Sequence, residues 1–333
     1  MNAVIDRLRT IVVAVVALVA AVGRRLRNGP LVEGWTWGVE LRRAMISALL
    51  AAGMRSAPPA RWADLRVEAP LPGRLRDVIA VETSSVGGVP GEWLRLTSLP
   101  GGRPALLYFH GGGHVMGHPG MERPFVAELV AAARADAFSV DYRLAPGDPF
   151  PAALEDAVAV YSQLLASGVD PAMLVVAGTS AGGNLAAALL VRLRDEGRPL
   201  PAGAVLFSPW LDLAGTGASL VSNAGTDYLP ELRGVPAELY LGDADPTNPH
   251  ASPFYADPAG LPPLLLFAGG REILLDDSVR FAEKAENAGV EVTLHVEPAM
   301  YHAWAAVIPR HPASRRAILI AADWMGRLTR PVR

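Results

Sequence analysis

The sequence predicts an α/β protein, with an eight-stranded, mostly parallel sheet, helices on both of its faces and a helical cap. Three observations predict it. From about residue 77, short apolar, β-branched or aromatic runs alternate with longer segments whose apolar residues fall at i, i+3, i+4. Most of the runs are apolar throughout, the pattern of strands buried on both faces, and helical connections between such strands make the sheet mostly parallel. Two stretches, 31–75 and 211–255, stand outside the alternation. A connection as long as the second is seldom structureless in a compact domain, so the two are read together as the cap.

Composition bounds the function classes. The chain has 333 residues and is 51% hydrophobic, enough to bury a substantial core and to exclude disorder. A net charge of −3, with arginines spread along the chain, gives no basic face for nucleic acid. There is no cysteine, so disulfides and thiolate chemistry are both excluded and stability comes from packing. Internal repeats and low-complexity tracts are absent.

The elements follow in order. Residues 1–30 form an apolar N-terminal helix around "IVVAVVALVAAVG" (11–23), which has Arg7 and Arg9 before it and Arg24, Arg25 and Arg27 after. A spanning helix needs about 20 apolar residues. A run of this length suits a helix lying at a membrane surface or packed on the protein, and the arginines behind it weigh against export. Residues 1–28 are therefore the candidate membrane-surface contact of a protein otherwise expected in the cytoplasm. Residues 31–75 supply the N-terminal part of the cap, with Trp35, Trp37 and the amphipathic "VELRRAMISALLAAG". Residues 76–330 form the α/β domain, interrupted by the cap-like insert 211–255.

Within that domain, "LRDVIAVET" and "EWLRLTS" flank Gly-Gly-Val-Pro-Gly as an antiparallel hairpin. The later strands are "ALLYF" (105–109), "AFSVDY" (137–142), "MLVVA" (173–177), "AVLFS" (204–208), "LLLFA" (264–268) and "VTLHV" (292–296). The intervening helices are 122–135, 152–166, 181–195, 277–288 and 313–328. In such sheets ligands bind at the carboxyl ends of the strands, so the residues just after each run are where chemistry is sought.

"MLVVA", "GTSAGG" and "NLAAALLVRLR" read as strand, sharp turn and helix, the context of a G-x-S-x-G nucleophile elbow. Gly178 and Gly182 let strand and helix backbones pass closely, and Ser180 is held in an unfavourable conformation with its hydroxyl exposed. The bland alternative is a glycine-rich turn with Ser180 as an N-cap. A second motif, "HGGGHVMG" (110–117), follows "ALLYF". Its backbone offers Gly111 and Gly112 N–H groups to an oxyanion, with Ala181 N–H as a third donor. It lacks the Gly-Lys-Ser/Thr of a phosphate loop.

HGGG, "YRLAPGDPFPAALEDA" (142–157), GTSAGG and "SPWLDL" (208–213) occur in the order found in the hormone-sensitive-lipase-like α/β-hydrolase esterases, bacterial lipase family IV. The chain resembles that family over roughly residues 77–328. With Thr179 where many members carry Asp, it is similar to the GTSAG subgroup. The resemblance implies the α/β-hydrolase fold with an eight-stranded sheet, a cap of N-terminal helices plus an insert, and no cofactor. It also implies small-molecule carboxylic-ester substrates with short or medium acyl chains.

A serine hydroxyl needs a histidine to take its proton and a carboxylate to fix that histidine's tautomer. Of seven histidines, His302 alone is both late in the chain and in a loop just past a strand. His110, His114 and His118 lie in or beside the glycine loop, His250 in the insert, His295 inside a strand and His311 at a helix start. For the acid, Glu272 follows "LLLFA"; the resembling family usually has Asp there in a D-P-L motif, and "EIL" aligns Glu272 with it. Asp276 and Asp277 suit a helix N-terminus, and Asp243 and Asp245 are alternatives from an earlier loop. Substrate contacts are expected from Trp35, Trp37 and Leu211. A metal hydrolase lacks its ligand spacing here. A membrane-associated amide or aryl-ester deacetylase and a non-catalytic ligand-binding relative are the rival functions. The sequence carries no signal for oligomeric state.

Overall fold

The computed structural model describes residues 2–64, 66–98, 105–229 and 234–329. The first two strands, β1 (Ile79–Val86) and β2 (Val89–Leu96), pair antiparallel from Ile79↔Leu96 to Val86↔Val89. Only Gly87 and Gly88 are left to turn the chain, both with positive φ, as a two-residue hairpin requires. The sequence had assigned Val89, Pro90 and Gly91 to the turn, but they are paired as part of β2.

The remaining strands are β3 (Ala105–Phe109), β4 (Asp136–Val140), β5 (Leu174–Thr179), β6 (Gly203–Phe207), β7 (Leu264–Gly269) and β8 (Val292–Glu297). The spatial order is β1-β2-β4-β3-β5-β6-β7-β8, with β2 antiparallel to both neighbours and every other pairing parallel. Strands β3, β5, β6 and β7 are buried at every position, whereas the outer strands β1 and β8 are partly exposed. That difference is why the inner runs read as continuously apolar.

Helices α1 (Asn2–Asn28) and α2 (Trp37–Ser56) precede the sheet. Those within it are α3 (Pro119–Ala133), α4 (Ala152–Ala166), α5 (Ala181–Asp195), α6 (Ser219–Ser222), α7 (Val235–Leu241), α8 (Leu275–Asn287), α9 (Trp304–Val307) and α10 (Pro312–Leu328). Alternate residues of one strand serve opposite faces. Leu107 and Phe109 of β3 face a core shared with Leu154 of α4, Leu189 of α5 and Phe281 of α8. Leu106 and Tyr108 face the other core, with Phe125 of α3 and Trp324 of α10. Helix α3 begins earlier than its apolar spacing suggests, because His118 caps it by accepting the Gly120 N–H and Pro119 fills its first position.

Glu40 of α2 is buried and binds both Arg24 and Arg25 of α1, the latter at 2.7 Å. Two of the arginines behind the apolar run thus pin α1 to α2. The opposite face of α1 leaves Ile11, Val12, Val15, Val16 and Val19 exposed, Val16 at 62%. Among the described residues, no helix is long and apolar enough to cross a membrane. The 211–255 stretch lies between β6 and β7; α6, α7 and a 3-10 turn at Pro253–Tyr255 are its described helical pieces. Arg43 of α2 donates to the carbonyls of Asp227 and Gly225 in that stretch.

Candidate active site

The parallel register places the ends of β5, β6 and β7 side by side, Thr179 opposite Phe207 and Phe207 opposite Phe267, with Gly269 of β7 opposite Glu297 of β8. Ser180, Ser208, Glu272 and His302 follow these four strands at their carboxyl ends. Ser180 sits between β5 and α5 with φ 57° and ψ −118°, and its side chain does not cap the helix. Non-glycine residues rarely adopt positive φ, and such strain persists only where neighbours enforce it. The enforcement is visible: a Cβ on Gly178 would lie 2.2 Å from Gly182 O, and one on Gly182 would lie 2.0 Å from Phe109 O. The elbow is wedged between its own helix and the end of β3. Ser180 N–H donates to Phe207 O at 2.9 Å, and the residue is only partly buried.

His302 and Glu272 are both buried, with Nδ1 3.7 Å from Oε2. That is ion-pair range and longer than a hydrogen bond; contacts of this kind often tighten only when substrate is bound. Burial pulls the His302 pKa down, but the adjoining Glu272 carboxylate, aided by Asp227 and Glu122, more than offsets it and the net shift is upward. Glu272 is itself held by Ser208, whose Oγ donates to Oε2 at 2.6 Å and accepts the Ala303 N–H at 3.0 Å. Ser208, with φ 46°, therefore ties the acid loop to the histidine loop. Asp227 lies beside them; its Oδ2 accepts the Ile273 N–H at 2.7 Å, and burial raises its pKa.

The glycine loop folds against the elbow: a Cβ on Gly111 would come within 3.5 Å of Ser180 Cβ. Gly112 has φ 127°, and its carbonyl accepts the Val115 and Met116 N–H groups, closing the loop. The Gly111 N–H, expected to face an oxyanion, instead donates to Glu122 Oε1 at 3.2 Å, because the buried carboxylate competes for it. Burial lifts the Glu122 pKa to about 7, against the lowering effect of its Tyr108 and Gly111 bonds. Ala181 opens α5, where the first N–H groups have no partner within the helix.

The model of the alpha/beta hydrolase fold matches residues 106–306, which takes in the glycine loop, the elbow and both loops of the His302 pair. The chain belongs to the alpha/beta hydrolase family. A solved esterase from the bacterial hormone-sensitive lipase family superposes with a TM-score of 0.75 at 37% identity, covering 94% of this chain and 98% of that one. The chain is 43% identical to an acetyl-hydrolase of Streptomyces hygroscopicus over 244 residues, 72% of this chain and 81% of the relative. It is 34% identical to an esterase of Acinetobacter venetianus over 249 residues, 74% and 82% of the two chains. The protein is thus a hormone-sensitive-lipase-like esterase, a hydrolase of the carboxylesterase type.

The other histidines of this esterase have structural surroundings. His110 is buried, stacked on Tyr142 at 4.3 Å, with Nδ1 2.7 Å from Gly111 O, and burial lowers its pKa to about 4. His114 stacks on Tyr240 at 3.8 Å, and burial lowers its pKa to about 3. His118 and His311 cap α3 and α10, His250 pairs with Asp195, and His295 stacks on Phe267. Among the acids, Asp276 accepts the Ser219 N–H, and Asp277 accepts those of Leu211 and Asp212 while burial raises its pKa to about 8. Asp243 is exposed, and Asp245 accepts the Thr247 N–H.

The three residues expected at the substrate are dispersed. Trp35 is buried, edge-on to Tyr301 at 5.8 Å, and its Nε1–H donates to Ala299 O, so it braces the loop that carries His302. Trp37 is 42% exposed beneath the Arg25 guanidinium. Leu211 is fully buried in the core shared with α4 and α5. Ser208, Asp227 and Glu122 were not singled out in the sequence. Only Ser208 had a signal, its place at the head of "SPWLDL". Among the described residues, no group of three or more His, Asp or Glu is arranged to hold a metal ion.

Proposed function

We propose that this esterase is a serine hydrolase of the GTSAG subgroup that cleaves small-molecule esters with short to medium acyl chains. Ser180 attacks the carbonyl carbon while His302 takes its proton, and Glu272 holds the imidazole with Nδ1 protonated. The alcohol leaves with the proton from His302, and water then attacks the acyl-enzyme by the same steps. Gly112 and Ala181 N–H groups receive the oxyanion, and Gly111 shapes the loop that carries them. The observation that carries this reading is the buried His302–Glu272 pair at the carboxyl ends of the strands, the end of the sheet at which the strained Ser180 elbow lies. The acyl range is supported by the acetyl-hydrolase relative. The test is a series of p-nitrophenyl esters from acetate to palmitate. Turnover should be greatest for the shorter chains and abolished by Ser180→Ala; undiminished turnover in that variant would refute the mechanism.

The same proposal assigns 31–75 and 211–255 to a cap over the catalytic domain, supported by the Arg43 bonds that join them. It also assigns the exposed stripe of α1 to peripheral contact with a membrane surface. In support, residues 2–28 carry five arginines against one aspartate, in a chain of net charge −3. Flotation with anionic phosphatidylserine vesicles should carry the full chain upward and leave Val12→Asp/Val16→Asp behind. Equal flotation of the two would remove this assignment.

A further inference from the structure

We propose that Glu122 is a positioning residue for ester hydrolysis, holding the glycine loop in register with the Ser180 elbow. This rests on the serine-esterase reading above and adds a residue that the Ser180, His302 and Glu272 assignment leaves unused. Glu122 lies in the first turn of α3, yet its side chain turns inward and the residue is only 8% exposed. Its neighbour Arg123 pairs elsewhere, with Glu92 and Glu68. The described hydrogen-bond partners of Glu122 are neutral: Gly111 N–H on Oε1 at 3.2 Å and Tyr108 Oη–H on Oε2 at 2.5 Å.

Tyr108 Oη is also 2.7 Å from Thr179 Oγ1. A tyrosine has one proton to give, and it goes to Glu122 in the shorter bond, so Thr179 donates in turn to Tyr108. The result is a chain from Thr179, next to the nucleophile, through Tyr108 to Glu122 and on to Gly111. A Cβ on Gly111 would lie 3.1 Å from Glu122 Oε1 and 3.2 Å from Thr179 O, so the network and the loop are in direct contact.

The chemistry needs such a fixture. Three successive glycines have the greatest backbone freedom and no side chains to anchor them, whereas oxyanion stabilisation depends on donors already in place. Glu122 anchors the first N–H of the loop, and the donors that follow inherit its position. The groups facing it are Tyr108 from β3, Thr179 from β5, Tyr142 after β4, Tyr228 from the insert and His302 after β8.

The test is Glu122→Gln in the full chain, assayed with p-nitrophenyl butyrate and with butylboronic acid, which adds to a serine and places an oxyanion in the loop. The amide keeps one acceptor: with its oxygen on Gly111 N–H, its NH2 donates to Tyr108, whose proton must turn to Thr179, so the chain runs in reverse and the charge that aligns it is lost. We expect kcat to fall about tenfold with KM within about twofold, and the boronate inhibition constant to weaken about tenfold. A residue needed only for folding would lower the thermal midpoint and leave kcat per folded molecule unchanged. If kcat and boronate binding both stay within about twofold of wild type, the proposal is overturned. Should Glu122→Gln fail to fold, Tyr108→Phe removes one donor from the carboxylate; kcat should fall about threefold, and an unchanged kcat overturns the proposal. Loss of wild-type turnover in Ser180→Ala keeps the esterase reading in place whichever way Glu122 falls.

Discussion

Replacing Glu272 by Gln removes one charge while keeping the shape of the side chain, and its consequences can be worked through from the surroundings. Ser208 donates to Oε2 at 2.6 Å, so a glutamine keeps its carbonyl oxygen there and turns its NH2 away from Ser208. The imidazole then faces a neutral carbonyl at about the 3.7 Å now separating Nδ1 from the carboxylate. An imidazolium formed as Ser180 loses its proton is no longer stabilised by the adjacent charge. In the alternative rotamer, the NH2 meets Nδ1 and forces the wrong tautomer, with Nε2 protonated and unable to accept. Either way kcat should fall by about 10³ to 10⁴.

The same change should move the pH profile. The His302 pKa stands above its ordinary 6.5 because the Glu272 carboxylate overcomes burial. The base works only when neutral, so the acid limb of kcat/KM in the wild type should have its midpoint above pH 6.5. In Glu272→Gln burial remains and the principal raising partner is gone, so the midpoint should move down. The assay is steady-state turnover of p-nitrophenyl butyrate from pH 5 to 9 on both proteins, with circular dichroism to confirm folding. A variant that keeps more than about a tenth of wild-type kcat, with an unmoved acid limb, would refute the reasoning.

Other variants probe the framework. Ser208→Ala leaves the Ala303 N–H without its acceptor and Glu272 without a donor, so urea unfolding should show a loss of about 1–3 kcal/mol and turnover should fall about tenfold. Gly182→Ala places a methyl 2.0 Å from Phe109 O, a backbone contact that cannot yield, so the variant should lose about 3 kcal/mol or more, read as a lowered urea midpoint. Gly29→Ala serves as its contrast: a Cβ there meets nothing within 4 Å, and only the positive φ is strained, so turnover should be unchanged.

The fold was legible because its signals are local. Strands β3 to β8 fall within a residue or two of the apolar runs, and α4 and α5 begin and end where the spacing does. The hairpin turn was misjudged because Val-Pro-Gly has turn composition, whereas pairing with β1 keeps it extended. The site was legible only as far as chain order and strand ends carry it. Nothing local in Glu122 distinguishes an inward carboxylate from an ordinary acidic residue in the first turn of a helix. Its partners Tyr108 and Thr179 become neighbours only when β3 and β5 pair. Trp35 likewise gains its role from Tyr301 and Ala299, at the far end of the chain.

The most direct measurement is peptide mapping by mass spectrometry after acid quench of the enzyme with p-nitrophenyl acetate, alongside labelling with a fluorophosphonate. An acetyl or phosphonyl adduct on Ser180, absent after His302→Ala or Ser180→Ala, is the predicted result. Turnover with no adduct on Ser180, or an adduct on another residue that persists in Ser180→Ala, would contradict the account.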